Sequence, residues 1–121
     1  MKRDLDLVRQ ILQALEVQEV GRHPGSAFAI EERDQLEVMF HVHLMEQAGL
    51  VLAMRLGHVG EPIPTAFPTS ITWAGYEFLD ASRDNKIWAK AKKHVIEPAG
   101  SVSFSFLLEW LKAEAKNRLG L

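Results

Sequence analysis

Two stretches of the sequence decide the fold: LMEQAGLV at residues 44–51 and ITWAGYEFL at residues 71–79. The first is typical of a helix that ends at Gly49, because glycine readily adopts the backbone conformation found at a helix C-terminus, and a strand then follows. The second is typical of a short strand followed by a helix, because the Thr72 side chain can cap a helix that begins at Trp73. A helix, a hairpin and a further helix are therefore predicted over residues 32–82.

The hairpin and the helix after it are predicted from local composition. We predict strands over residues 50–56 and 70–72, joined by a loop at residues 57–68 that holds two glycines and three prolines. In the next helix, residues 73–82, Gly75 lies on the apolar face. Because glycine lowers helix propensity, we interpret Gly75 as a close-packing contact.

Upstream of these stretches, we predict a helix over residues 4–17 with Asp4 as its N-cap and a short strand over residues 27–30. The helix of residues 32–49 carries apolar residues on two arcs, which predicts packing on both sides. One arc is Leu36, Phe40, Leu44 and Ala48; the other is Val38, Val42 and Met45.

Downstream, a fourth helix is predicted over residues 84–96, and Pro98 and Gly100 are expected to end it. Ser103 is predicted to cap a last helix that runs to Leu119.

The predicted fold class is α+β and mostly helical. The order of the elements is that of a shortened winged-helix-like core, residues 1–83, with a C-terminal helical extension, residues 84–121, packed on it as part of a single domain. One departure is that only about 20 residues separate Ala29 from Leu50, where a winged helix has two helices.

Motifs spread over nearly the whole chain carry a family resemblance. They are MKRD at 1–4, FHV at 40–42, AGL at 48–50, TWAG at 72–75, FLD at 78–80, IW at 87–88 and KAK at 90–92. Together they make the sequence similar to domain-of-unknown-function family 2513, small proteins of bacteria and their phages. The resemblance implies a shared fold and a mobile-element context, and it carries over no catalytic residue.

Composition excludes several classes of protein. The chain has 121 residues, 47% of them hydrophobic and 25% charged, which is the composition of one globular domain rather than of a disordered chain. It contains no cysteine, so disulfides and thiolate metal sites are excluded. The N-terminus lacks the apolar run of a signal peptide, and no apolar run is long enough to cross a bilayer. We expect a cytoplasmic protein.

The sequence shows no catalytic or metal-binding pattern, and we expect neither an enzyme nor a cofactor. His41 and His43 are two residues apart on a helix, about 200° around its axis, so they do not share a face as two ligands of one metal would. We interpret His41 as a buried, hydrogen-bonded core residue and His43 as a surface residue. The chain contains no Gly-x-Ser-x-Gly motif, and its serines fall at loops and caps.

Nucleic-acid binding is the alternative that the winged-helix order raises. The helix that would enter the major groove, residues 36–49, contains no Lys or Arg and two glutamates, and phosphate repels such a helix. The loop region offers His58, with Arg55 at its edge. The one basic concentration is residues 86–94, where Lys86, Lys90 and Lys93 share a face that is either a solvated surface or a docking surface for an acidic protein or a phosphate backbone.

The last helix carries more apolar surface than one face needs. Phe106, Trp110 and Ala113 form a second stripe at spacings of four and three residues. Either this stripe meets a second copy in a homodimer, or the fourth helix covers it through Trp88. The function predicted is a non-enzymatic binding module for a protein partner, in a phage or prophage context. The alternative is a small winged-helix DNA-binding transcriptional regulator.

Overall fold

The computed structural model describes residues 1–18, 28–55, 60, 65–100 and 102–120. The predicted class, α+β and mostly helical with an antiparallel hairpin, is confirmed. The described elements are α1 (Leu5–Glu16), α2 (Gln35–Gln47), β1 (Val51–Arg55), β2 (Ala66–Ile71), α3 (Trp73–Ala81), α4 (Asn85–Ala91), a π-helical segment (Lys92–Ile96), α5 (Glu97–Ala99) and α6 (Phe104–Arg118).

The chain divides into two compact units, Met1–Tyr76 and Glu77–Leu121. The division falls inside α3, upstream of the predicted division between residues 83 and 84. The first unit holds α1, α2 and the hairpin, and the second holds α4 to α6. The predicted packing of the C-terminal extension on the core stays a prediction.

The first unit is built around the apolar faces of α1 and α2, which pack on each other and on the hairpin. α1 is amphipathic, since its apolar residues recur every three or four positions and are buried on one side. The buried apolar side chains of these elements include Leu7, Val8, Ile11, Leu12 and Leu15 of α1, Val38, Met39, Val42 and Met45 of α2, and Val51, Ala66 and Phe67 of the hairpin.

A polar junction joins the N-terminus of α1 to α2. Asp4 is the N-cap of α1, as predicted: its Oδ1 accepts hydrogen bonds from the backbone N–H groups of Asp6 and Leu7. The backbone N–H of Asp4 donates to Nε2 of His41 over 2.8 Å, and Nδ1 of His41 lies 2.8 Å from the Glu37 carbonyl oxygen. Because Nε2 accepts, Nδ1 carries the proton and donates, so both ring nitrogens are satisfied. His41 is fully buried, which confirms that it is a core histidine.

Arg33 closes this junction from the turn before α2. Its Nη1 contacts Asp4 Oδ2 at 2.8 Å and Glu37 Oε1 at 3.1 Å, and its Nε donates to Gln10 Oε1. The preceding residue, Glu32, has a φ of 65°, the left-handed conformation that side-chain-bearing residues seldom adopt. The turn therefore contains one strained residue, Glu32, and positions the Arg33 guanidinium between α1 and α2.

The hairpin is fastened to the start of α3. Thr72 Oγ1 donates to the Gly49 carbonyl oxygen and accepts from the Gly75 N–H, so it caps α3, as predicted. A Cβ at Gly75 would lie 2.1 Å from the Leu50 carbonyl oxygen, which confirms the close-packing interpretation. α3 thus begins directly against the turn that ends α2.

Two strand predictions are corrected. Phe28, Ala29 and Ile30 form no strand, although Phe28 is buried. The second hairpin strand begins at Ala66 rather than residue 70, so residues predicted as loop, including Pro68, are paired with β1. Pro68 pairs with Ala53 beside an irregularity in the register between Leu52 and Ala53, and proline is tolerated at such bulges because the regular ladder of hydrogen bonds is interrupted there.

The second unit is held by aromatic contacts and by the packing of α4 on α6. The Phe78 ring contacts Trp88 edge-on, with 5.9 Å between ring centroids, and Phe104 at 4.8 Å.

The fourth helix continues past its predicted end at residue 96. It runs through the π-helical segment and α5 and ends at the C-cap Gly100. Pro98 has no N–H, and its ring crowds the carbonyl one turn earlier, a conflict that a wider π turn relieves.

Replacing His41 with alanine is expected to lower the free energy of unfolding by about 1–3 kcal/mol, because it removes a packed ring and leaves the Asp4 N–H without its partner. Urea denaturation of purified protein measures this. His43→Ala, a change in the same helix that breaks none of these bonds, is the control and should cost less. An unchanged unfolding midpoint for His41→Ala would contradict the role assigned to the junction.

Acid should weaken the same junction. Burial raises the pKa of Asp4, but hydrogen bonds from Arg33, Leu7 and Asp6 outweigh it and leave the pKa below its ordinary value of 3.8. A carboxylate with a lowered pKa stabilises the fold above the unfolded-state pKa and loses that contribution as pH falls through the folded-state pKa. Asp4→Asn should therefore be less stable than wild type near neutral pH, and the difference should shrink below about pH 4. Parallel curves from pH 7 to pH 2 would refute this, and Asp34→Asn is the control.

Candidate interaction surfaces

The outward side of α2 is an open apolar face. Leu36 is 50% exposed. Phe40, His43 and Leu44 are half-buried, and Gln47 is exposed. The prediction of packing on both sides therefore holds only for the arc of Val38, Val42 and Met45. The open face, as we use the term below, comprises Leu36, Phe40, His43, Leu44, Gln47 and Ala48.

The open face carries no positive charge, and its flanking acids are neutralised. No Lys or Arg occurs in Gln35–Gln47. Glu37 is paired with Arg33 at 3.1 Å. Glu46 accepts a hydrogen bond from Nε of Arg55, also at 3.1 Å. The helix therefore presents a neutral surface, which suits an apolar partner better than a phosphate backbone.

Trp73 is an exposed aromatic near the C-terminal end of α2. Its side chain is 83% exposed, although it begins a helix that is fixed in place by the Thr72 cap and the Gly75 contact. Tryptophan on a rigid element is a frequent energetic anchor of protein interfaces. Sequence analysis did not identify Trp73 as an exposed residue. Its exposure could have been predicted, because Trp73 is the first residue of a capped helix and lies outside the apolar face of that helix.

The predicted basic residues are spread over both units and are partly neutralised. Arg55 ends β1 and pairs with Glu46. Lys90 of α4 pairs with Glu114 of α6 at 3.0 Å. Lys86 and Lys93 are exposed. His58 lies outside the described residues. Pairing with Glu114 therefore takes one of the three predicted lysines out of the basic face.

His43 occupies a different environment from the predicted surface position. It is half-buried, and its Nδ1 is shielded from solvent with no hydrogen-bond partner among the described residues. An unsatisfied buried nitrogen of this kind costs about 1–3 kcal/mol. Within the described ranges, no group of three or more His, Asp or Glu side chains is arranged to hold a metal ion.

The second stripe of α6 is left uncovered at two of its three predicted positions. Phe106 is 58% exposed, Ala113 is exposed and Trp110 is half-buried. Trp88, which was to cover the stripe in the alternative prediction, is buried and contacts Phe78. Phe106 therefore remains available to another molecule.

Comparison with known proteins assigns the family. A family model described as "Hypothetical protein (DUF2513)" matches residues 2–101. The chain belongs to domain-of-unknown-function family 2513. A Haemophilus influenzae protein named "Uncharacterized protein" is 33% identical to this member of family 2513 over 92 residues, which are 76% of each chain. No solved structure matches the chain.

The family match covers the open face, Trp73 and the polar junction but ends before α6 begins at Phe104. The motif at residues 1–4 acquires a structural explanation, since Asp4 is the cap and the Arg33 partner. The motif at residues 40–42 includes His41, the other half of the junction. Among the described residues of this family member, no helix is long and apolar enough to span a bilayer.

We expect this family member to bind random-sequence duplex DNA more weakly than about 1 μM at physiological salt, because α2, the helix that the sequence analysis considered for the major groove, carries no Lys or Arg. Fluorescence anisotropy at two salt concentrations measures this. Residual binding should fall steeply with salt and disappear in the Lys86→Glu/Lys90→Glu/Lys93→Glu variant. A nanomolar complex that persists in this variant would contradict the expectation.

Proposed function

We propose that this protein is a non-enzymatic binding module that docks an apolar surface of another protein on the open face of α2, with Trp73 as an anchor. The observation that carries the proposal is a helix that is buried on one side, apolar on the other, and free of Lys and Arg. Its place before the hairpin is the one predicted for a DNA-reading helix, but its chemistry suits a protein.

The chemistry of the partner follows from the charges around the open face. Glu37 and Glu46 are held by Arg33 and Arg55, so a partner has no strong charge there to match. An uncharged apolar segment, such as one side of an amphipathic helix, fits best because it buries Leu36 and Phe40 without stranding a charge. Trp73, which adjoins this face, is of the residue type most enriched among the few side chains that supply most of the free energy of binding in protein interfaces.

The alternative function is a small DNA-binding transcriptional regulator. Exposed Lys86 and Lys93 favour it, since they leave positive charge at the surface of the second unit. The pairing of Lys90 and Arg55 with glutamates weighs against it.

The proposal of a binding module also includes a phage or prophage context and a cytoplasmic location. It further includes a homodimer formed through Phe106, Trp110 and Ala113.

Affinity capture from a lysate of the source organism tests the proposal. We expect a protein partner that is retained after nuclease treatment and is depleted about tenfold or more by Leu36→Glu and by Trp73→Ser, because both remove interface anchors. Val17→Glu is the matched control, since Val17 is a 79% exposed apolar residue of the first unit. Circular dichroism confirms that each variant is folded.

Two results would contradict the proposal. Recovery that is equal for wild type, Leu36→Glu and Trp73→Ser would show that the open face does not bind the partner. Recovery that is lost on nuclease treatment, together with specific duplex binding, would favour the transcriptional regulator.

A further inference from the structure

The outward surface of α6 has the pattern of a helix-pairing seam. Phe106, Trp110, Ala113 and Asn117 recur at spacings of four, three and four residues, the spacing of the core positions of a coiled coil. Phe106 is 58% exposed, and Ala113 and Asn117 are also exposed. The seam therefore faces solvent over most of its length, although its composition is that of an interface.

We propose that α6 pairs antiparallel with α6 of a second copy of this chain around a two-fold axis. This rests on the homodimer proposed above and specifies its geometry. In the antiparallel register, Trp110 lies opposite the partner's Ala113, and Phe106 lies opposite the partner's Asn117. Each layer then sets a large side chain against a smaller one, which allows the two helices to approach closely.

Charges on one flank of the seam select this arrangement. Glu109 and Lys116 each precede a seam residue and lie on the same side of the helix, one in each half. A two-fold axis across the middle of α6 brings Glu109 opposite the partner's Lys116, and the same pair forms a second time by symmetry. The Glu109 side chain is 75% exposed, and its one ion pair within the described part of the chain, to Lys112, is long at 3.7 Å, so it is accessible to a partner.

The other flank of the seam is occupied by the protein's own second unit. Leu107 is buried, and Glu114 is paired with Lys90 of α4. A parallel pair of α6 helices would place Glu109 near the partner's Glu114, which is already paired with Lys90, so Glu109 would gain no partner of opposite charge. The antiparallel pair gives Glu109 such a partner and also aligns the helix dipoles favourably.

This dimer surface lies outside the residues that the family model matches. The match ends at residue 101, and α6 begins at Phe104. Pairing through α6 therefore uses a surface separate from the open face of α2. One helix per subunit makes a small interface, so we expect a micromolar dissociation constant.

Charge reversal tests the arrangement. In sedimentation velocity from low to high micromolar concentration, wild type should dimerise. Glu109→Lys and Lys116→Glu should each weaken the dimer about tenfold, because either change replaces two attractions with two repulsions. The double variant Glu109→Lys/Lys116→Glu should dimerise like wild type. Glu97→Lys and Lys93→Glu make the same charge changes outside α6 and should have no effect.

Mixing the two single variants gives the sharpest result. In a heterodimer of Glu109→Lys with Lys116→Glu, both flanking pairs join opposite charges again, so the mixture should dimerise about tenfold more tightly than either variant alone. Trp110→Asp should abolish dimerisation in every background.

The outcomes separate the dimer from its geometry. A wild type that stays monomeric at high micromolar concentration refutes both the dimer and the antiparallel pair, and leaves the open face of α2 to its own test. A dimer that Trp110→Asp dissociates, but that neither charge reversal nor mixing affects, keeps the seam and overturns the antiparallel register.

Discussion

The fold of the first unit depends on a single polar junction between two helix termini. Asp4 caps α1 with one carboxylate oxygen, binds Arg33 with the other, and donates its backbone N–H to the buried ring of His41. Apolar packing alone would allow α1 and α2 to slide along each other, because hydrophobic contacts are not directional. The junction fixes their register, since each of its hydrogen bonds is satisfied in one geometry only.

This register determines which side of α2 faces outward. With His41 held by Asp4, the side of Val38, Val42 and Met45 turns into the core, and the open face turns away from it. The far end of α2 is fixed in the same way, because Gly75 allows α3 to start against the Leu50 carbonyl and Thr72 binds the Gly49 carbonyl. The proposed docking surface is therefore held at both ends by polar contacts.

Local chemistry made part of this predictable from the sequence. The Asp4 and Thr72 caps, the Gly75 contact and the core position of His41 each follow from one residue and its neighbours, and the structure confirms them.

Predictions that depended on distant partners were less successful. Pro68 was placed in a loop because proline has no N–H to donate to a neighbouring strand. The sequence does not show where a strand can do without that hydrogen bond. The open side of α2 was expected to be covered, since periodicity shows where apolar residues lie but not whether another element reaches them. Arg33 was missed because two of its partners, Asp4 and Gln10, are distant in the sequence, although Glu37 is only four residues away.

The three tryptophans offer the most direct test of the account, because two of them report on different surfaces and the third is a buried reference. Trp73 adjoins the open face, Trp110 lies in the α6 seam, and Trp88 is buried. In two-dimensional NMR spectra of nitrogen-15-labelled protein, the account predicts that the Trp73 indole signal shifts when the captured protein partner is added. The Trp110 signal should shift on dilution, and the Trp88 signal should respond to neither. A Trp73 signal that responds to duplex DNA and not to the protein would contradict the central claim that this is a protein-binding module.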